Sequence, residues 1–226
     1  MAIDKSRTAP IIKIGIGFLA IVLAISVGGS IIPGLAAFFG TSKTDTGTRT
    51  GGGVLEDAAQ RFAGQVAYGE QALASDPASL TVLVALANTY GDWASAIETF
   101  TSDPVTPGMY REKAVTYYRK ALEIEPGDFN VAVDYAITLY YSGRAAEAAS
   151  VVDGVLAKDP KFVPALFNGG IFYAEAGRDA DAARVLNTYL AADPNGAQGN
   201  PDVARNIIAE LAKRQSAGPA STASTP

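Results

Sequence analysis

The residue types that most often carry enzyme chemistry are missing from this sequence or stand without partners. The chain has no histidine and no cysteine, which removes the usual general base, the commonest metal ligand and any thiolate nucleophile. Its serines therefore have no histidine to activate them. No glycine-rich loop is followed by Lys-Ser or Lys-Thr, as a phosphate-binding loop requires. The sequence predicts a non-catalytic protein with no metal, no cofactor and no small-molecule substrate.

Acidic residues are the remaining candidates, and they recur in a regular pattern. Four acid-proline pairs lie at spacings of 49, 34 and 34 residues: Asp76-Pro77, Glu125-Pro126, Asp159-Pro160 and Asp193-Pro194. An Asp at the end of a helical segment commonly caps a helix or closes a turn, and this local role is favoured over metal binding. The first interval exceeds the others by 15 residues, which predicts an insertion in the first unit.

Other residues repeat with the same period of 34. Gly143-Arg144 recurs as Gly177-Arg178, and Ala148 recurs as Ala182. A fixed period of about 34 residues is typical of stacked helix-turn-helix units. The residues that face the core in the two regular units are Ala132, Tyr135, Ala136, Leu139, Ala148, Val152 and Val155, then Leu166, Gly169, Gly170, Tyr173, Ala182, Leu186 and Tyr189. The Gly-Gly pair predicts a close contact between helices.

On these residues the chain resembles the tetratricopeptide repeat family, from about residue 55 to residue 211. Small residues and the closing proline match the family pattern, whereas Val152 and Leu186 replace the aromatic residue of the second helix. The resemblance implies an all-α fold, a right-handed α-solenoid of helix-turn-helix repeats. We expect a domain over 54–215, with repeats at about 78–126 (including the insertion), 127–160 and 161–194, and an amphipathic capping helix over 201–215.

The first unit contains helices longer than a regular repeat. Residues 54–75 and 80–100 read as long helices, residues 101–108 as a loop, and residues 109–124 as their partner helix. Trp93, Ile97 and Phe100 continue the apolar stripe beyond the usual length. They form either an exposed binding ridge or, as we favour, a core contact with the Leu55–Phe62 segment of the preceding helix.

The N-terminal region predicts a membrane anchor. Residues 1–10 are polar, and no charged residue occurs between Ile14 and Phe39, so residues 11–39 are assigned to one transmembrane helix. A cleaved signal peptide, whose apolar core is normally shorter, is the alternative. Basic residues are more frequent before the span than after it, which places the N-terminus in the cytoplasm and the repeats outside it. A small-residue stripe in the span could pack against another helix, although glycine and alanine are common in such spans: Gly17, Ala20, Ala24 and Gly28.

The remaining segments and the charge complete the organisation. Residues 40–53 predict a flexible linker, and residues 216–226 a disordered tail. The chain has a net charge of −5. Residues 1–40 carry a net charge of +2, so residues 41–226 carry −7. An acidic domain argues against nucleic acid as a partner.

Function is therefore expected on a surface. The first helices of such repeats line a groove, and spacing assigns these residues to it: Asn88, Asn130, Val133, Ile137, Tyr140, Tyr141, Phe167 and Ile171. The family's carboxylate-binding version uses Lys, Arg and Asn there, whereas Val84, Val133 and Phe167 occur here where Lys is expected. An apolar helix or extended segment of another protein is the predicted partner. The alternative is that these residues contact the tail, the insertion or a second copy.

The resulting prediction is a non-catalytic, membrane-tethered scaffold or assembly chaperone on the extracytoplasmic side. A stoichiometric structural subunit of a membrane protein complex is the alternative. An enzyme is the third and least favoured class.

Overall fold

Eight α-helices follow one another between residues 51 and 216, which is the part of the chain that this computed structural model describes. They are α1 (Gly51–Ser75), α2 (Leu80–Phe100), α3 (Thr106–Ile124), α4 (Phe129–Tyr141), α5 (Ala145–Lys158), α6 (Val163–Glu175), α7 (Asp179–Ala192) and α8 (Pro201–Ser216). No strand occurs in this range. The all-α prediction is therefore confirmed for the described residues.

Several predicted segments lie outside the described residues. They are the N-terminal segment of residues 1–10, the anchor of residues 11–39 with its small-residue stripe, residues 40–50 of the linker, and residues 217–226 of the tail. The first helix begins at Gly51, three residues before the predicted start of the repeat domain. Among the helices from residue 51 to residue 216, none is both long enough and apolar enough to span a bilayer.

Helix pairs connected by a tight glycine turn form the repeating unit. The turn from α4 to α5 contains Gly143 at φ 76°, and the turn from α6 to α7 contains Gly177 at φ 75°. This left-handed conformation is easily adopted only by glycine, and it reverses the chain within three residues. Asp128 caps α4 by accepting a hydrogen bond from the Val131 amide at 3.1 Å.

Three of the four acid-proline pairs shape the turns between units, as the sequence predicts: those that begin with Asp76, Asp159 and Asp193. Asp159 Oδ1 accepts a hydrogen bond from the Lys161 amide at 3.0 Å, and Asp76 Oδ1 accepts one from the Ala78 amide at 3.3 Å. Asp193 accepts two, from the amides of Ala197 and Gln198, both at 2.8 Å. These carboxylates therefore stabilise local turns, and the backbone donors lower the pKa of Asp193 against the opposing effect of burial.

The core contains the residues that the 34-residue period selects. Tyr173 and Leu186 are 1% and 0% exposed, which confirms their predicted place in the core. Asp179, at the start of α7, is half-buried. Its side chain is 28% exposed and lies 3.4 Å from the Arg214 guanidinium.

Trp93 packs as the core interpretation requires, since its ring stacks on that of Phe62 with centroids 5.8 Å apart. Phe100 is 56% exposed, so the core interpretation is wrong for this residue.

The 15 extra residues of the first unit extend one helical hairpin. The first helix of this hairpin, α2, has 21 residues against 13 in α4, and its second, α3, has 19 against 14 in α5. Residues 101–105 form the connecting loop, so α3 begins at Thr106 and not at Met109 as the sequence predicts. Pro107 lies in its first turn, where a missing amide donor costs nothing.

Very close contacts between helices depend on the absence of side chains. A Cβ placed on Gly170 of α6 would lie 2.3 Å from Leu186 of α7, and one on Gly169 would lie 2.6 Å from Val152 of α5. Such distances are shorter than any van der Waals contact. The predicted role of this glycine pair in close helix packing is thus confirmed.

Gly170→Ala should lower the free energy of unfolding by about 1–3 kcal/mol, because the new methyl group overpacks the contact with Leu186. Urea denaturation followed by circular dichroism measures the change. The matched control is Gly154→Ala in the middle of α5, where no other atom lies within 4 Å of the Cβ position. This control should stabilise the protein by about 0.5–1 kcal/mol through helix propensity alone. Equal effects of the two substitutions would contradict the packing described here.

Candidate functional site

The candidate site is the surface of α2, α4 and α6 that carries the predicted partner-binding residues, which we call the first-helix surface. Side-chain exposure differs strongly among these residues. Asn130 is exposed, and six others are half-buried: Asn88, Ile137, Tyr140, Tyr141, Phe167 and Ile171. Val133 is buried. The surface therefore offers partly accessible apolar groups rather than fully exposed ones.

Val133 does not belong to the accessible surface, and the prediction for this residue is wrong. Its side chain is 3% exposed and forms part of the buried cluster that also contains Val115 of α3. The reason is that α4 packs against both α5 and α6. Neighbouring helices therefore bury a wider part of the α4 surface than the single apolar stripe that spacing predicts. Spacing within α4 does not reveal this second contact.

Phe167 is partly covered by the chain itself. Its ring packs against that of Tyr189, with centroids 5.0 Å apart. The loop before α8 passes over both rings, since a Cβ placed on Gly199 would lie 2.8 Å from the Phe167 ring. This contact with the loop before α8 is not among the predicted alternatives, which are the tail, the insertion and a second copy.

The two tyrosines of α4 connect the first-helix surface to the extended hairpin. The ring of Tyr140 packs on Phe172 with centroids 5.1 Å apart, and on Tyr141 with centroids 5.3 Å apart. The Arg111 guanidinium lies 5.9 Å from the centre of the Tyr141 ring and forms a bidentate ion pair with Glu98. Burial raises the pKa of Tyr140 to about 12 and also raises that of Tyr141. Both hydroxyls are therefore neutral at pH 7.

Asn88 is held by a hydrogen bond to the second helix of its own unit. The hydroxyl of Tyr118 donates to Asn88 Oδ1, and Tyr118 itself is buried. Burial is the main cause that raises the pKa of Tyr118 well above its ordinary value, and the nearby carboxylates of Asp134 and Asp92 raise it further. Two carboxylates thus lie near the buried hydroxyl that orients Asn88.

Those two carboxylates are site residues that sequence reasoning missed. Asp92 of α2 and Asp134 of α4 are half-buried, and burial raises the pKa of each to about 6, with a smaller contribution from Asp128 for Asp134. Within residues 51–216, neither side chain forms a hydrogen bond or an ion pair. Helical spacing could have found them, because each follows a predicted residue, Asn88 or Asn130, by four positions.

The chemistry of this surface suits recognition rather than catalysis. The helices of this surface carry half-buried aliphatic and aromatic groups, neutral tyrosine hydroxyls and two carboxylates that have no cationic partner in the described part of the chain. No group of three or more potential metal ligands is found among residues 51–216. A segment with apolar side chains and a Lys or Arg would complement both features.

Comparison with known proteins identifies the repeats. Residues 111–168 and 139–200 each match the family model described as tetratricopeptide repeat. None of the curated proteins matches the chain.

Solved structures resemble the fold at low sequence identity. Two crystal structures of MamA are 13% and 14% identical, cover 72% and 76% of this chain and 93% and 92% of their own, and superpose with TM-scores of 0.51 and 0.50. The Sgt2 tetratricopeptide repeat domain from Aspergillus fumigatus is 20% identical, covers 62% of this chain and 85% of its own, and has a TM-score of 0.45. At these identities the likeness to MamA shows a shared fold.

The double variant Asp92→Asn/Asp134→Asn should be more stable than the unmodified protein at neutral pH. The pKa of each carboxyl is about 6 in the folded protein and about 4 when unfolded, so its contribution to stability is fully present below about pH 4 and is lost as the pH rises through 6. Asparagine stays neutral. The gain should be about 2 kcal/mol per residue at pH 7 and near zero at pH 4.

Urea unfolding of both proteins at a series of pH values measures this gain. Carboxyls whose pKa is lowered in the folded protein, such as Asp153 and Asp181, destabilise both proteins equally on acidification and cancel in the difference. A difference in stability that does not depend on pH would show that the two carboxylates are well solvated.

Proposed function

Since residues 111–200 of this chain are tetratricopeptide repeats, we propose that the helical domain is a non-catalytic scaffold or assembly chaperone that binds a segment of another protein on its first-helix surface. The partner segment carries apolar side chains and at least one Lys or Arg. The domain is tethered to a membrane by the predicted span of residues 11–39 and works on the extracytoplasmic side.

The main observation that supports this choice of surface concerns two carboxylates. Asp92 and Asp134 are half-buried carboxylates without a cationic partner in the described residues, and a folded protein gains nothing in stability from such groups. A basic side chain of a bound segment would supply the missing charge. The half-buried Ile137, Tyr140 and Ile171 of the first-helix surface offer the apolar contacts that such a segment needs.

Site-specific crosslinking in the full chain tests which surface is used. A photo-crosslinking amino acid replaces Ile137 on the first-helix surface and, as the control, Arg184 of α7, whose side chain is 64% exposed. Adducts with a defined partner are expected at position 137 and absent at 184, and mass spectrometry of the adduct identifies the bound segment. Equal adducts at both positions, or none at 137, would mean that the first-helix surface is not the binding site.

The Asp92→Asn/Asp134→Asn variant should weaken binding of the crosslinked segment by about tenfold or more, since loss of an interfacial charge pair worth about 1.4 kcal/mol changes affinity tenfold. Fluorescence anisotropy with the labelled segment measures the dissociation constant. Because this variant is expected to be the more stable protein, unfolding cannot explain a loss of binding. Arg184→Ala should bind normally, and an unchanged affinity of the double variant would refute the role of the carboxylates.

The topology is tested separately. A reporter enzyme that is active only outside the cytoplasm, fused after Pro226, should be active, because positive residues hold the N-terminus of the span inside. The mature protein should retain Met1 or Ala2. A mature N-terminus near Ala37 would instead identify residues 11–39 as a cleaved signal peptide.

A further inference from the structure

An exposed apolar tip ends the extended hairpin of α2 and α3. Between residues 56 and 216, five large apolar side chains are mostly exposed, and three of them lie within ten residues of one another at this tip: Phe100 at 56%, Val105 at 62% and Met109 at 60%. All three belong to the 15 extra residues of the first unit or border on them. The insertion therefore extends a hairpin beyond the regular repeat and exposes apolar groups at its end, where they contribute little to the core.

The tip lies at the end of the domain from which the chain continues towards residue 50. Phe62 of α1 stacks on Trp93 of α2, and the two helices run in opposite directions. From Phe62 back to Gly51, α1 extends by roughly 16 Å, and from Trp93 on to Phe100, α2 extends by roughly 10 Å, at 1.5 Å per residue. The start of α1 and the hairpin tip therefore point to the same side of the domain.

The predicted anchor sets the distance to the bilayer. Only residues 40–50, which belong to the predicted linker and lie outside the described residues, separate the start of α1 from the predicted span. A Gly-rich linker of this length has an r.m.s. reach of roughly 18 Å. A lipid surface is therefore the nearest large apolar partner of the tip. The inference rests on the membrane tether of the proposed function.

The charged groups at the tip do not favour attraction to anionic lipid. Contact with a bilayer would therefore depend on insertion of the apolar side chains. Arg111 is 7% exposed and bound to Glu98, so it does not extend towards a headgroup. The carboxylate of Asp103 accepts hydrogen bonds from the amides of Val105 and Thr106, at 2.8 Å and 3.2 Å. The Thr106 side chain and these two amides lower its pKa, so Asp103 stays ionised and electrostatic attraction does not draw this loop to anionic lipid.

We propose that the tip formed by Phe100, Val105 and Met109 inserts into the interface of the bilayer to which the chain is anchored. The contact fixes the orientation of the domain, with the hairpin of α2 and α3 upright on the membrane. Side chains at such a tip are expected to reach the boundary between headgroups and acyl chains, roughly 5–10 Å deep.

Fluorescence quenching in the full-length protein tests this proposal, and the absence of native cysteine makes single labelling simple. Ser102→Cys places an environment-sensitive dye in the tip loop and leaves its three apolar residues intact. Glu123→Cys is the matched control on an exposed position near the other end of α3, roughly 25 Å away. Each protein is reconstituted into phosphatidylcholine vesicles that contain a lipid with a nitroxide quencher near the top of its acyl chain.

The dye at position 102 should lose about half of its emission, and the dye at 123 almost none, because only the tip reaches the quencher. The same result is expected when part of the lipid is phosphatidylglycerol. Phe100→Ser/Val105→Ser/Met109→Ser in the Ser102→Cys protein should abolish quenching, while the melting temperature stays unchanged because these side chains are exposed.

The other outcomes each overturn the proposal in a distinguishable way. A protein that does not float with vesicles has no anchor, and then the membrane tether of the proposed function fails as well. A floating protein without quenching at 102, or with equal quenching at both positions, refutes only the tip contact. A blue shift without quenching means that the tip docks on protein, such as a second copy of the chain. Quenching that survives the triple serine variant excludes insertion of the apolar side chains.

Discussion

The close approach of α6 to its two neighbours is the constraint on which the regular units depend. Gly169 faces Val152 of α5 and Gly170 faces Leu186 of α7, with no space for a Cβ at either contact. Because both contacts involve adjacent residues of one helix, the position of α6 is fixed from two sides. The buried cluster of α4 to α8 forms around this arrangement, with Tyr173, Leu186 and Tyr189 filling the space between helices.

The repeated Gly-Arg pair couples the turns to the packing between units. After each left-handed glycine, the arginine pairs with an acid three positions on and also with an acid of the preceding second helix. Arg178 binds Asp181 at 2.7 Å and Asp153 at 2.6 Å, and Arg144 binds Glu147 at 2.7 Å and Glu112 at 3.4 Å. Exposed ion pairs contribute little stability. Their value here is geometric, because the same residue that ends a turn also sets the register of the next unit.

The sequence predicts those features that follow from local spacing. Tyr173 and Leu186 are core residues because the period of 34 and the 3.6-residue turn of the helix select the same positions. Val133 and Phe167 differ because their environment depends on non-local contacts, with neighbouring helices in one case and with the loop at Gly199 in the other. Asp92 and Asp134 differ for a third reason. Helical spacing places them one turn after Asn88 and Asn130, but their burial without a partner in the described residues follows from the fold and not from the spacing.

The two proposed surfaces differ from a typical protein surface in opposite ways, and each difference is a departure from the most stable arrangement. On the first-helix surface, carboxylates are buried further than their solvation favours, which costs stability at neutral pH. At the hairpin tip, apolar side chains are exposed further than a soluble domain requires. A solenoid tolerates both, because its stability is carried by contacts between neighbouring units and not by one central core. In the proposed function a basic residue of the partner relieves the first departure, and in the proposed membrane contact the bilayer relieves the second. Under these two proposals, the domain would hold a membrane and a partner protein at the same time, because the two contacts use different surfaces.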